Sequence, residues 1–317
     1  MFISKRRGSY EKSKRINVSD IRKLLFEDVS YLPLEYLGAY NIMGPYSIAY
    51  QLKKYAGIDM NILLNKCSFE HGPYFYKMVC QIEVTHHATF ILTFSPFREK
   101  VIQALTNITP IAIGPYIAYA EEYRSKECIE DLKKEIGRVL LAMPSHSTQK
   151  DNTEYDVDEF IQYINSVKKD FDTVMVCVHY EDLKRGIWKL YKEKGFYVVS
   201  AGNVLSPYFL SRTKYIFHLS DAFISNTVTT GMAYAMYMNC PIKLIHQKVN
   251  YNLTGRDNFS ELELENLVDR AYELFIDSEF IISEEQKEFG NYVFGLENVK
   301  SKGEMNVLLK TLTRTER

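Results

Sequence analysis

The second half of this chain alternates short apolar segments with longer amphipathic ones, and that alternation limits the possible folds more than any other feature. Strand candidates begin at Val139, Thr173, Tyr197, Asp221 and Ile242. Helical patterns of roughly 10 to 15 residues separate most of these strands, which is typical of parallel sheets with helices on both faces. We therefore predict an α/β fold built on a parallel sheet.

The first half of the chain shows a weaker form of the same pattern. Residues 44–55 have helical spacing before a stop at Gly57, and residues 67–73 predict a loop because they end in Gly-Pro. The other segments are short: strands are predicted at residues 62–64, 90–94 and 108–113, and a helix at residues 96–105. A separate α/β domain is therefore expected on the N-terminal side of the domain with the regular alternation of strands and helices.

Changes in composition along the chain predict four segments. They are a flexible basic tail at residues 1–16, an N-terminal α/β domain at 17–120, a second α/β domain at 121–260 and C-terminal helices at 261–317. Two domains are the ordinary expectation for a chain of 317 residues. We expect two Rossmann-like domains with a cleft between them, and C-terminal helices that pack back onto them.

Composition and charge exclude several classes of protein. A net charge of −1 gives no general electrostatic case for a nucleic-acid partner. No apolar run approaches the roughly 20 residues of a membrane span, and the five cysteines lack the spacing of a disulfide framework or a zinc site. We expect a cytoplasmic protein with reduced thiols, whose basic N-terminus could also touch the inner face of the membrane.

Polar side chains follow four of the predicted strands in the second half. In chain order they are His146 and Ser147, then His179, then Gly202 and Asn203, then Ser225, Asn226 and Thr227. The carboxyl ends of parallel strands meet at one edge of a sheet, and ligands bind there where the strand order reverses. The sequence therefore predicts a binding cleft at this edge.

The segment at residues 225–231 is the most suggestive of these strand ends. A buried strand runs through Ser225 into a polar turn, and a helix follows Thr229, Thr230 and Gly231. The first N–H groups of such a helix have no partner within it, so an anion such as a diphosphate could bind there. The alternative is an ordinary capped helix, since serine, asparagine and threonine are common N-caps.

Three short motifs resemble those of GT-B glycosyltransferases that build bacterial capsule and other surface polysaccharides. Residues 70–72 (Glu-His-Gly) resemble a loop in the first domain of the polysialyltransferase, Kdo-transferase and teichoic-acid polymerase groups. Residues 144–147 (Pro-Ser-His-Ser) lie where bacterial sialyltransferases carry a His-Pro pair, and residues 225–231 where they carry a Ser-Ser or Ser-Thr phosphate-binding turn. The resemblance covers roughly residues 60–250. Ser147 in place of proline, and His71 in place of a second acid, depart from the sialyltransferase pattern.

The resemblance implies metal-independent transfer of a sugar from a CMP-, CDP- or UDP-sugar to a surface polysaccharide or glycolipid, with no cofactor. Its acceptor would bind on the side of the first domain, where Glu70 or His71 would act as the base. The substrate and nucleotide site is predicted to contain Gly72, His146, Ser147, His179, Gly202, Asn203, Ser225, Asn226, Thr227, Thr229, Thr230 and Gly231.

Two other classes of function stay open from the sequence. One is another enzyme on the same scaffold, such as a nucleotide-sugar epimerase or a polysaccharide pyruvyltransferase. An epimerase needs several carboxylates in the cleft, and only Glu70 can be placed there. A pyruvyltransferase needs a basic pocket for the carboxylate of its donor, and few arginine or lysine residues follow the predicted strands. The other class is a partner protein that keeps the fold without catalysis.

Overall fold

A computed structural model describes residues 44–64, 66–80, 83–84, 88–147, 152–252 and 267–313. The basic tail predicted at residues 1–16 lies outside these ranges. The first half contains, in chain order, α1 (Ile48–Ala56), β1 (Cys67–Phe69), β2 (Phe90–Thr93), α2 (Pro96–Leu105) and β3 (Thr109–Ala112).

The second half contains the longer series of elements. In chain order they are α3 (Lys126–Ile136), β4 (Val139–Met143), β5 (Asn152–Tyr155), α4 (Val157–Val167), β6 (Thr173–Cys177), α5 (Tyr180–Arg185), α6 (Trp188–Glu193), β7 (Tyr197–Val199), α7 (Phe209–Leu219), β8 (Ala222–Ser225), α8 (Thr230–Tyr237), β9 (Ile242–Leu244) and β10 (Val249–Asn252). Three C-terminal helices follow: α9 (Leu267–Phe275), α10 (Glu284–Phe294) and α11 (Lys302–Thr313).

The larger sheet is parallel throughout and has the strand order β7-β6-β4-β8-β9. Leu141 on the central strand β4 pairs with Met175 of β6 on one side and with Phe223 of β8 on the other. The chain moves outward from β4 to β7 and then returns to add β8 and β9 on the opposite side. The strand order therefore reverses between β4 and β8, and the predicted α/β fold with a parallel sheet is confirmed.

The smaller sheet, in the first half, has the parallel order β1-β2-β3. The strand predicted at residues 62–64 is wrong, and β1 lies instead at Cys67–Phe69, which was predicted as loop. The reason is burial: Ile62 and Leu63 are 38% and 46% exposed, whereas Cys67 and Phe69 are buried against β2. Glu70 consequently follows a strand end, as the polar residues of the second half do.

Two clusters of buried side chains cover the two faces of the larger sheet. On β4, Leu141 belongs to one cluster while Leu140 and Ala142 belong to the other, because successive side chains of a strand point to opposite faces. The first cluster also contains side chains of the smaller sheet and of α10 and α11. The two sheets and the C-terminal helices thus share one continuous core.

The C-terminal helices pack back onto the first half, as predicted. Asn306 of α11 donates a hydrogen bond of 2.7 Å to the carbonyl oxygen of Ala56, and the Tyr55 hydroxyl donates to the carbonyl of Lys300 at 3.1 Å. Gly295, directly after α10, has a φ of +65° and packs against the backbone at Phe94 so closely that a Cβ atom would collide with it. Only glycine fits this approach of two backbones.

Two features of the second half differ from the predictions. The helical pattern expected between β6 and β7 forms two short helices, α5 and α6, because Gly186 ends α5 with a φ of +80°. Strands β5 and β10 form a separate antiparallel ribbon that was not predicted. The β5 segment (Asn-Thr-Glu-Tyr) has a single aromatic residue and no apolar alternation, and the alternation of β10 (Val-Asn-Tyr-Asn) covers only four residues, the shortest run that indicates a strand.

Among the described residues, no helix is long and apolar enough to cross a membrane. The five cysteines are free, and Cys67, Cys177 and Cys240 are buried. Burial raises the pKa of each of these three thiols to about 12. They therefore stay protonated at neutral pH and have little nucleophilic reactivity.

Candidate functional site

A buried polar network joins the two strands between which the order of the larger sheet reverses. Asn226, after β8, accepts hydrogen bonds at its side-chain oxygen from the backbone N–H (2.7 Å) and the hydroxyl (2.9 Å) of Ser145, after β4. The side-chain nitrogen of Asn226 donates to Gln247 at 2.7 Å. Asn226 is fully buried, so this network forms the floor of the position where ligands bind in such sheets.

Residues 225–231, which we call the strand-end turn, stand above this floor. Ser225 is buried and its hydroxyl accepts from the backbone N–H of Thr227 at 3.3 Å, whereas residues 227–230 are half-buried. Thr229 is the N-cap of α8, and its hydroxyl accepts from the backbone N–H of Gly231 at 2.9 Å. The turn therefore presents threonine hydroxyls and the positive end of a helix to its surroundings.

The two halves of the protein are held together beside this turn. Gln51 of α1 is buried, and its amide nitrogen donates to the carbonyl of Pro207 (2.9 Å) and to the hydroxyl of Ser211 in α7 (3.0 Å). Just before α1, Tyr46 and Ser47 have φ values of +53° and +62°, and such strain at non-glycine residues is often found at functional sites. The Tyr46 ring contacts Phe209 at 5.2 Å between centroids.

Residues 70–74, which we call the facing loop, lie against the strand-end turn. A Cβ atom added to Gly72 would stand 2.6 Å from the Oγ1 of Thr230, so the backbone of Gly72 lies directly against the side chain of Thr230. The Tyr46 ring stacks on the ring of His71, with centroids 6.1 Å apart and planes inclined by 19°. The structure therefore brings together the glutamate-histidine-glycine motif and the strand-end turn, which are about 150 residues apart in sequence.

Glu70 is fully buried in an ion pair with Arg98 of α2. The Nε of Arg98 donates to Glu70 at 2.8 Å, its Nη2 lies 2.6 Å from the same oxygen, and the Thr93 hydroxyl donates to the other oxygen. Arg98 also donates to the carbonyls of Tyr76 and Met78, at 2.8 Å and 2.6 Å. Burial, which outweighs the guanidinium of Arg98, raises the pKa of Glu70 to about 7. Both carboxylate oxygens are occupied, so Glu70 holds the facing loop against α2.

His71 is the half-exposed member of the motif, with 36% of its side chain accessible. Its Nδ1 forms an ion pair with Glu83, and its backbone N–H donates to the same carboxylate oxygen at 2.9 Å. The Tyr74 hydroxyl lies 3.3 Å from the ring nitrogens. Burial lowers the pKa of His71, but the hydrogen bond and the charge of Glu83 outweigh it and raise the pKa above its ordinary value.

His146 and His179, after β4 and β6, stack with ring centroids 4.2 Å apart and planes inclined by 16°. Burial, together with the neighbouring His146 ring, lowers the pKa of His179 well below its ordinary value, so His179 is neutral at pH 7. Ser147 is buried, where its backbone N–H donates to Asp182 at 3.0 Å. The two histidines line the edge of the sheet beside the floor, and Ser147 supports them from within the protein.

Gly202 and Asn203, after β7, bond within their own loop. The Gly202 N–H donates to the Ser200 hydroxyl at 3.1 Å, and the Asn203 side chain accepts from the Leu205 N–H at 2.9 Å. Since β7 is three strands away from β8, these residues lie about 14 Å from the strand-end turn at about 4.8 Å per strand. They are on the same edge of the sheet but at its far end.

Within the described ranges, no three histidine, cysteine, aspartate or glutamate side chains are placed so that they could hold a metal ion. The chemical groups that the site presents are instead a carboxylate-paired imidazole on the facing loop and threonine hydroxyls at a helix N-terminus. The first can accept a proton, and the second can stabilise negative charge.

Four side chains around this site have no local sequence pattern that indicates their position: Tyr46, Tyr74, Glu83 and Arg98. Glu83 is twelve residues beyond His71 and Arg98 is twenty-eight beyond Glu70, and no local pattern links such positions. Arg98 is the partial exception. It lies in the first turn of α2, which begins just after β2, and the end of β2 lies at the same sheet edge as Glu70.

A scan of protein-family models and a search of curated proteins both find no match. Among solved structures, the chain is similar to the wall teichoic acid polymerase TagF (11% identity, TM-score 0.40) and to the S. aureus MnaA–UDP structure (10% identity, TM-score 0.38). These alignments cover 78% and 75% of this chain, and 66% of each of the other two chains. A glycosyltransferase from Rickettsia africae aligns over 92% of this chain and 82% of its own, with 12% identity and a TM-score of 0.31. At these identities and TM-scores the likenesses do not assign a function.

Proposed function

We propose that this protein is a glycosyltransferase that moves a sugar from a nucleotide-sugar donor, such as a CMP-, CDP- or UDP-sugar, to a surface polysaccharide or glycolipid acceptor. The observation that carries the proposal is the contact between Gly72 and Thr230. It supports the proposal because His71, the candidate base, is the neighbour of Gly72, and Thr230 begins the helix after β8, where the order of the larger sheet reverses. These are the two groups that glycosyl transfer from a nucleotide needs.

His71 is the base in this proposal. An acceptor hydroxyl attacks the anomeric carbon of the donor sugar, the bond from that carbon to the phosphate oxygen breaks, and the hydroxyl proton passes to the imidazole. His71 suits this role because it is half-exposed and an imidazole can take up a proton near neutral pH. Glu70 does not suit it, since its oxygens are bonded to Arg98 and Thr93 away from solvent.

The strand-end turn holds the departing nucleotide. Negative charge develops on the phosphate as the sugar leaves, and the N-terminus of α8 with the hydroxyls of Thr227 and Thr230 would stabilise it. The buried floor of Ser145 and Asn226 fixes the backbone of this turn. The stacked pair of His146 and His179 lies next along the same edge and is placed to contact the rest of the nucleotide.

A thermal-shift measurement with nucleotides tests the donor site. CMP, CDP, UDP and GDP are added to the full-length protein, and at least one is expected to raise the melting temperature by several degrees. A ligand at 100 times its dissociation constant adds about 2.7 kcal/mol to the free energy of unfolding. Thr230→Val, which removes one hydroxyl at nearly constant volume, should weaken this effect.

Thr311→Val is the matched control, because Thr311 is an exposed threonine near the end of α11 whose hydroxyl donates to the carbonyl of Val307 in the same helix at 3.0 Å. It should leave the nucleotide-dependent shift unchanged. The proposal fails if all four nucleotides leave the melting temperature of the unaltered protein where it was. It also fails if Thr230→Val and Thr311→Val weaken binding equally.

A further inference from the structure

We propose that Glu83 is a positioning residue for His71, which holds the imidazole with its proton on Nδ1 and thereby keeps Nε2 available as the base. This inference rests on the proposed function for the role of His71 in catalysis. The arrangement itself is a property of the folded chain and can be measured without any substrate.

The contacts of Glu83 are concentrated on the facing loop. One carboxylate oxygen accepts from the backbone N–H of His71 (2.9 Å) and from the Tyr74 hydroxyl (3.0 Å), and it is paired with the His71 Nδ1. Glu83 is only 3% exposed. A single buried oxygen therefore fixes both the backbone and the ring of the residue that is placed to act as base.

The tautomer follows from the hydrogen-bonding capacity of these groups. An ionised carboxylate can only accept, so the Nδ1 that faces Glu83 must carry a proton, and in a neutral imidazole Nε2 then keeps its lone pair. The hydrogen bond made by one ring nitrogen determines in this way which nitrogen can take up a proton. When Nε2 accepts the proton of the acceptor hydroxyl, the ring becomes positively charged and the adjacent carboxylate stabilises it.

The other oxygen of Glu83 argues for more than a packing role. It is buried and has no hydrogen-bond partner among the described residues. A buried carboxylate oxygen without a hydrogen-bond partner lowers the free energy of unfolding, and such atoms are uncommon in folded proteins. A carboxylate kept at this position despite that cost fits a requirement for its charge beside His71.

Several other groups surround the His71 ring and bear on its titration. Glu70 adds a further negative charge from the end of β1, and its effect on the imidazole is smaller than that of Glu83. Tyr74 meets the ring edge-on and Tyr46 stacks on its face, while the Arg98 guanidinium lies over the Tyr74 ring at 5.3 Å. Glu83 is the carboxylate in direct contact with the imidazole.

The test measures the pKa of His71 by NMR in the full-length protein and in Glu83→Gln. The ring signal is assigned by its disappearance in His71→Gln. Glutamine keeps the size and one oxygen acceptor but removes the charge, so the His71 pKa is expected to fall by about one unit or more. Glu99→Gln is the matched control, because Glu99 also accepts a backbone N–H, that of Ala112 at 2.6 Å, away from His71. It should leave the His71 pKa unchanged.

The ring nitrogen shifts of the unaltered protein provide a second measurement that needs no variant. Above the pKa they should show a proton on Nδ1 and none on Nε2. A proton on Nε2, or an unchanged His71 pKa in folded Glu83→Gln, overturns the inference even where nucleotides bind as proposed. If no nucleotide binds but both NMR results hold, the pairing stands and the proposed function fails.

The same pairing predicts a pH dependence of activity. The base must be neutral to accept a proton, so the rate should rise with pH as His71 loses its proton, with a midpoint above the ordinary value of about 6.5. In Glu83→Gln the rising limb should move to lower pH, together with a lower maximum rate. If Glu83→Gln lowers the rate but leaves the rising limb of the pH–rate profile at the same pH, Glu83 has a structural role only.

Discussion

His71→Gln should lower the rate of sugar transfer, or of slow hydrolysis of the nucleotide-sugar in the absence of acceptor, by about 10²- to 10⁴-fold. The reason is that glutamine keeps a polar group of similar length but cannot take up a proton. Nucleotide binding should change little, because the strand-end turn is intact. The measurement is the rate of nucleotide release from a panel of CMP-, CDP- and UDP-sugars, with the melting temperature recorded for each variant.

The chain offers a matched control for this substitution. His218 is also a histidine next to a glutamate, with its Nε2 3.1 Å from Glu122, but it lies at the end of α7 on another part of the surface. His218→Gln should retain the full rate. Equal rates for His71→Gln and the unaltered protein would remove His71 from the mechanism.

Glu70→Gln should destabilise the fold by about 3–5 kcal/mol, which is the usual cost of removing one partner from a buried ion pair. Arg98 is fully buried, so its charge would be left without a counterpart. Replacing both residues, as in Glu70→Leu with Arg98→Met, should recover much of this loss because no charge is then buried. Chemical denaturation of each variant gives the free energies of unfolding.

The same variant separates the two residues that the sequence left as alternative bases. If Glu70 only holds the facing loop, Glu70→Gln should keep a substantial share of the transferase activity when it is assayed well below its melting temperature. His71→Gln should lose that activity. Glu99→Gln, which alters a half-buried glutamate that has no arginine partner among the described residues, should cost far less stability. An inactive Glu70→Gln with unchanged stability would reverse these assignments.

The sequence was sufficient to predict the larger sheet because its strands are buried on both faces. Residues of β4 such as Leu140 and Leu141 face opposite clusters, which produces the continuous apolar runs that were recognised. The smaller sheet was harder to predict. Its first strand has three residues, and the exposed Ile62 and Leu63 are more apolar than Ser68 at its centre, so hydrophobicity alone indicated the wrong segment.

In the candidate site, only the residues that directly follow parallel strands could be predicted from the sequence. Since polar residues after parallel strands meet at one edge, His146 and His179 could be placed together, and they are stacked. The roles of Glu70 and His71 could not be separated, because they depend on Arg98 and Glu83, whose positions are set by the packing of α2 and of the loop beyond Tyr74. Such long-range contacts leave no periodic signal in the sequence.

A single NMR experiment tests whether the facing loop and the strand-end turn form one binding site: it follows the His71 ring signal while the protein is titrated with CMP, CDP, UDP and GDP. If the facing loop and the strand-end turn form one site, a nucleotide that raises the melting temperature will also shift the His71 signal. Both effects will saturate with the same dissociation constant, and the signal of His218 will stay where it is. If a nucleotide binds saturably and leaves the His71 signal unmoved, the facing loop and the strand-end turn do not form one nucleotide site.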